Sequence, residues 1–183
     1  NITPENKVPE CVSLTQFRII INQPMSQRLK LILCLMYENG LRSDEALSLK
    51  FDNFHDNHIV LEKTKNHTER VIYLTDNVLT MLTEYINNDT VHSDYIFHTS
   101  SGKKVDCRNL RKEIKAACVS AGYPQLHAHS FRHGSAKFLL DNNVNIAKIQ
   151  AHLGHASITT TQRYLRVDSK IRQEVTQLFS NIA

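Results

Sequence analysis

Apolar residues recur along this chain in two rhythms, and the switches between them mark its elements. Thr15 opens a first helix through QFRIIIN, which stops near Pro24. From Ser26, the positions Leu29, Ile32, Leu33, Met36 and Tyr37 follow one face of a helix, and Gly40 ends it. Arg42 then stands just past a helix end, where a short helix over 43–49 begins. Residues 57–74 change to strand rhythm: HIVLE and RVIYL are rich in β-branched residues and flank the polar KTKNHTE, which reads as a hairpin. Asp76 caps a helix with the stripe Val78, Leu79, Leu82, Tyr85 and Ile86. The irregular stretch 87–105 contains a short apolar YIF, read as a third strand. Asp106 caps a helix to about Ser120, with Leu110, Ile114 and Ala117 facing inward.

Two helices follow, one from about His129 to Asp141 and one over 145–153 with Ile146, Ile149 and Leu153 inward. Gly154 can take the left-handed conformation that ends a helix, so that His155 projects from the corner. Ser157 caps a further short helix carrying Tyr164. The last stretch, KIRQEVTQLFSNIA, is amphipathic through Ile171, Val175, Leu178, Phe179 and Ile182. The fold class expected is α+β and mainly α-helical, with a small three-stranded antiparallel sheet.

Composition adds bounds. At 183 residues, 41% hydrophobic and 22% charged, the chain has the make-up of one ordinary globular domain. Nothing resembles a membrane span. The start, NITPENKVPE, has neither an initiator Met nor a basic-then-apolar signal segment, and reads as a cut within a longer protein. Cys11, Cys34, Cys107 and Cys118 show no C-x-x-C pairing, which fits reduced intracellular thiols. A net charge of +4 says little about partners. Clustering says more: Lys103, Lys104, Arg108, Arg111, Lys112 and Lys115 fall within thirteen residues, either a solvated helix face or a DNA-binding one.

The chemistry-bearing residues concentrate between His127 and Arg166. His129 and Arg132, three residues apart on a helix, share a face; His155 and Tyr164 follow. A base, a guanidinium, a second imidazole and a phenol suit a phosphate's oxygens and a nucleophile. H-x-x-R (His129, Arg132), L-G-H (Leu153, Gly154, His155) and Tyr164 resemble the C-terminal half of the tyrosine recombinase signature of phage-type integrases. N-G-L-R-S-D-E-A-L (39–47) resembles the family's arginine box at Arg42 and Glu45, and Lys65 in KTKNHTER stands where the family has a hairpin lysine.

The resemblance implies site-specific DNA recombination through a covalent 3′-phosphotyrosine at Tyr164, with no cofactor and no metal. It implies that Arg42 and Arg132 clamp the phosphate, that His155 hydrogen-bonds it, and that Lys65 protonates the departing 5′ oxygen. His129 handles protons beside the tyrosine, and Glu45 supports the clamp from behind. Lys103, Lys104, Arg108, Arg111 and Lys112 would face DNA. The domains implied are a linker over 1–12 from an upstream DNA-binding domain, a catalytic domain over 13–169 and a tail helix over 170–183. Whether that tail packs in its own domain or on a neighbouring subunit stays open. The partners are double-stranded DNA and further copies in a tetramer, with accessory DNA-bending proteins left open. The location is the cytoplasm of a bacterial or phage-infected cell, and the source a phage or other mobile element.

Three readings compete. A zinc site among His127, His129, His133, His152 and His155 lacks H-E-x-x-H, paired cysteines and nearby acids. A non-catalytic helical DNA-binding module gives no reason for the order of the motifs. A type IB topoisomerase shares the chemistry, but the compact spacing from Arg42 to Tyr164 and the L-G-H box favour a recombinase.

Overall fold

The computed structural model describes residues 9–61 and 70–154. Lys65, His155, Tyr164 and the tail over 170–183 therefore lie outside the described residues. The elements run α1 (Leu14–Ile21), α2 (Gln27–Glu38), α3 (Ser43–Leu47), β1 (Phe54–His55), β2 (His58–Leu61), β3 (Arg70–Tyr73), α4 (Asp76–Asn87), α5 (Cys107–Ser120), α6 (Ala128–Asp141) and α7 (Ile146–Leu153).

The fold is built around α2. Its N-cap Ser26 accepts from the Leu29 N–H, and every residue from Leu31 to Tyr37 is buried. A helix buried on all sides needs neighbours on all sides, and α1, α3, α4, α5 and α6 pack against it. The apolar stripe seen in the sequence is thus only part of what α2 buries; Leu31, Cys34 and Leu35 complete it. Burial drives the Cys34 thiol up to about 12, so it is inert.

Two helix starts move, one by two residues and one by a single residue. Ser13 rather than Thr15 caps α1, exchanging bonds with Gln16 in a capping box, and Thr75 rather than Asp76 caps α4. Before α1, the Val12 N–H donates to the Ser130 carbonyl at 2.9 Å, which lays this segment on α6.

The sheet is three-stranded and antiparallel, in the order β1-β2-β3. Its third strand is not the expected YIF stretch but Phe54–His55, joined to β2 by a two-residue turn in which Asp56 has φ 43°. Residues 95–97 make only single bridges, Tyr95 to Lys50 and His98 to Lys104 beside them, while Ile96 and Phe97 are fully buried. Ile96 and Phe97 serve the core here by burial, without a ladder.

A buried ion pair pins that stretch. His98 Nε2 lies 2.6 Å from Asp89 Oδ2 and Nδ1 2.9 Å from the Thr99 carbonyl, and acceptors at both nitrogens favour the doubly protonated ring. Burial pulls the His98 pKa down, but the Asp89 and Thr99 hydrogen bonds outweigh it and the net shift is upward. Burial raises Asp89, and its His98 bond brings it below its ordinary value. The His98 contribution is present below its unfolded value of 6.5 and fades as pH rises through the raised folded value. The Asp89 contribution is present above 3.8 and fades as pH falls. The stability lost in Asp89→Asn should accordingly be largest between those values and shrink toward pH 9. Urea midpoints across pH measure it, and a flat difference would mean the pair is uncharged.

Candidate active site

The site begins where α2 stops. Gly40 turns the chain at φ 66°, and a Cβ there would lie 2.7 Å from Leu153 Cδ2 and 3.1 Å from His152 Nε2. Only glycine lets the end of α2 meet the end of α7 this closely. Arg42 follows as the N-cap residue of α3, and its N–H donates to Glu45 Oε2 at 2.8 Å. Carboxylates suit the first turn of a helix, where backbone N–H groups lack partners. Local helix logic therefore fixes Glu45, and Glu45 then organises the site.

Three guanidinium groups converge on that carboxylate. Arg42 Nη1 donates to Oε1 at 2.8 Å. Arg70, from the first position of β3, covers both oxygens, Nη2 to Oε2 at 2.9 Å and Nη1 to Oε1 at 3.2 Å. Arg132 Nη1 lies 3.7 Å from Oε2. Among the described residues, these three guanidinium groups share one carboxylate. Burial alone would raise the Glu45 pKa, but Arg70, the Arg42 N–H, Arg132 and the Arg42 side chain hold it below the ordinary value.

The arginines differ in presentation. Arg42 has a side-chain exposure of 22%, whereas Arg70 and Arg132 have 8% and 6%. Arg132 also donates to the Gly40 carbonyl, and from Nη2 to the Leu153 carbonyl at 2.5 Å. It clasps the ends of α2 and α7 as well as the carboxylate.

Of the residues singled out in the sequence, Arg42, Glu45 and Arg132 are thus brought together. His129, one turn before Arg132 on α6, stays outside this hydrogen-bonded cluster and faces solvent beside the His127 and His133 rings, at 6.3 and 6.4 Å. Partial desolvation, then His127, Arg111 and Arg132, lower its pKa against the opposite pull of Asp44. A neutral imidazole with a free lone pair is the form that accepts a proton.

The outward face of α5 continues the positive surface. Arg108, Arg111, Lys112 and Lys115 line an open groove floored by Ala116 and Val119, and Arg111 links it electrostatically to His129. Lys104 instead donates to Ser48 Oγ at 2.6 Å and lies over the Tyr95 ring, while Lys103 is exposed. No group of three or more metal-capable side chains exists among the described residues.

Arg70 carries no mark in the sequence, and His152 figures there only in the rejected zinc site. Arg70 closes a segment already noted for Lys65, and its role needed the hairpin pairing of Leu61 with Arg70 to become visible. His152 is half-buried at the end of α7, its buried Nε2 has no hydrogen-bond partner among the described residues, and burial, Arg70 and Arg132 depress its pKa. Gly154, expected to be left-handed, has φ 63°.

The sequence profile of the Phage integrase family matches residues 9–170. Tyrosine recombinase XerC of Rickettsia bellii is 34% identical over 147 residues, 78% of this chain and 48% of its own length. Tyrosine recombinase XerA of Pyrococcus furiosus is 32% identical over 153 residues, 81% of this chain and 53% of its own. The chain thus spans about half the length of these curated relatives. A crystal structure of XerA recombinase superposes with a TM-score of 0.80 at 25% identity, covering 93% of this chain and 65% of that one. The XerH recombinase bound to its difH substrate before cleavage shares the fold, with a TM-score of 0.78 at 24% identity over 94% of this chain and 55% of that one. A match running from the segment before α1 past Tyr164 takes in the whole arginine cluster, and on it the chain belongs to the phage integrase family.

Proposed function

We propose that this chain is the catalytic domain of a site-specific tyrosine recombinase, which cuts and rejoins double-stranded DNA. The observation that carries the reading is the Glu45 cluster, which holds Arg42 and Arg132 against one carboxylate. Guanidiniums keep their protons and match the non-bridging oxygens on which charge develops in phosphoryl transfer.

In this reaction the Tyr164 oxygen forms a bond to phosphorus while the bond to the 5′ oxygen breaks. The phenol proton passes to an imidazole, assigned to His129, because a phenol of ordinary pKa is a poor nucleophile near neutrality. Lys65 protonates the departing 5′ oxygen, and His155 donates to a phosphate oxygen. A 5′-hydroxyl from a second strand then reverses the step, so phosphoester energy is conserved without ATP. The basic face of α5, with Lys103, Lys104, Arg108, Arg111 and Lys112, runs along the duplex. Residues 1–12 join an upstream DNA-binding domain, 13–169 form the catalytic unit, and the 170–183 tail contributes to a tetramer on DNA, whose stoichiometry sedimentation reads.

Incubation with a nicked suicide duplex tests the reading. A covalent adduct should form in EDTA without ATP, and mass spectrometry should place the phosphate on Tyr164. Absence of any adduct overturns it. In the same assay, Arg42→Ala and Arg132→Ala should each slow cleavage by ~10²–10³, the cost of losing one preorganised donor. Their effect on DNA affinity should be modest, since one phosphate contact among many is lost. Equal losses in both would make the arginines electrostatic anchors only.

A further inference from the structure

Arg70 is the member of the cluster without a place in that chemistry. It is fixed at the main chain by its pairing with Leu61 and at its tip by both oxygens of Glu45. With 8% of its side chain exposed, it is withdrawn from solvent where Arg42, at 22%, is not. A two-point fork fixes the plane of a carboxylate in a way a single contact cannot. The carboxylate so fixed is the one that receives Arg42 Nη1 at Oε1, the same oxygen that Arg70 Nη1 holds.

On its other side Arg70 lies directly under the turn at Gly154. A Cβ at that glycine would fall 2.0 Å from Nη1 and 2.8 Å from Cζ. The tip of an arginine can ordinarily swing away from such a collision. This one cannot do so while it holds Glu45, so a side chain at Gly154 and the Arg70–Glu45 fork are mutually exclusive.

We propose that Arg70 is a positioning residue for the DNA-cleaving centre, gripping Glu45 so that Arg42 is held in one orientation, and seated against Gly154 so that the turn after α7 is set by the same grip. The inference rests on the recombinase reading. Arg70 touches no DNA in it and acts through Glu45 and Arg42. Losing the fork leaves Glu45 hydrogen-bonded to Arg42 itself, through its N–H and Nη1, with Arg132 at 3.7 Å, so carboxylate and guanidinium can shift together away from where charge develops.

Arg70→Lys is the main variant, because it keeps the charge and removes the fork. With the full chain on a nicked suicide duplex at saturating concentration, adduct formation should slow roughly 10–100-fold, the usual effect of removing a partner that orients a reacting group. The Kd for the duplex should stay within about twofold, because the charge remains. Gly154→Ala displaces the fork without deleting it and should reproduce the rate loss; in an Arg70→Ala background its effect should shrink to the strain of an alanine at φ 63°, since the atoms it strikes are gone. A cleavage rate for Arg70→Lys within threefold of wild type overturns the proposal, as does a loss confined to Kd. So does additivity of Gly154→Ala with Arg70→Ala, which also decides the matter if Arg70→Lys fails to fold.

A further readout needs no cleavage. In the DNA-free chain, the Arg42 Nε–H order parameter from nitrogen-15 relaxation should be high in wild type and fall in Arg70→Lys. Equal order in both overturns the positioning role. A wild-type chain that forms no adduct refutes the recombinase reading alone.

Discussion

Tyr164→Phe should abolish the covalent protein–DNA adduct while leaving duplex affinity within about twofold. The substitution removes one oxygen, the atom that bonds to phosphorus in the proposed reaction, and keeps the ring. In that proposal affinity rests on phosphate contacts spread over Arg42 and the basic α5 face, none of which changes. The other five tyrosines make poor substitutes. Tyr37 is buried in the core and pushed up to about 12 by desolvation. Burial also raises Tyr85. Tyr95 is covered by the Lys50 and Lys104 ammonium groups, 5.9 and 5.8 Å from its ring centroid. Tyr73 lies on the outer sheet face, its ring 5.6 Å from that of His58, and Tyr123 is half-buried after α5. A denaturing gel reads the result directly, and a persistent adduct in the variant would move the nucleophile elsewhere.

Glu45→Ala should destabilise the domain by about 3–5 kcal/mol, because breaking a buried ion pair leaves charge uncompensated. Here the charge left behind is larger than usual, since Arg70 and Arg132 are both withdrawn from water and lose the same partner. At about 2–4 °C per kcal/mol for a domain of this size, the melting temperature should fall by roughly 10 °C. Acid should produce the same defect in the unmodified chain. The folded pKa of Glu45 lies below its ordinary 4.5, so its contribution is present above that value and lost as pH falls through the folded value. Urea denaturation of the variant and the wild type measures the difference. A loss below about 1 kcal/mol would show that the arginines relax to solvent once the carboxylate is gone.

Elements whose signals are local were legible in the sequence. Ser26 and Gly40 bracket α2, Asp106 caps α5, and Gly154 ends α7 in the left-handed conformation as its type suggests. The third strand was not, because Phe54–His55 is too short for any periodicity and exists only through its pairing with Ile59 and His58. Of the candidates found by motif, Lys65, His155 and Tyr164 lie outside the described residues, His129 stands outside the cluster, and Arg42, Glu45 and Arg132 converge. Arg70 carries the same side chain and went unnoticed, since a strand-end arginine has no local mark that separates a buried fork from a solvated charge. The carbonyl contacts of Arg132 were equally hidden. A motif can name an arginine, but its backbone acceptors belong to helix ends brought near by packing.

The clasp that Arg132 makes also sets an order of events. It joins Gly40 to a residue 92 positions later in sequence, and Glu45 meets Arg70 across 25. Such closures lie among the slower contacts of a folding chain, because loop entropy opposes them before packing rewards them. During synthesis Arg42 and Glu45 emerge long before α6 and α7 exist. A growing chain therefore displays Arg42 and Glu45 well before it has assembled the cluster around them. Under the proposed function, the capacity to hold a phosphate in one fixed pose arrives only with the C-terminal helices.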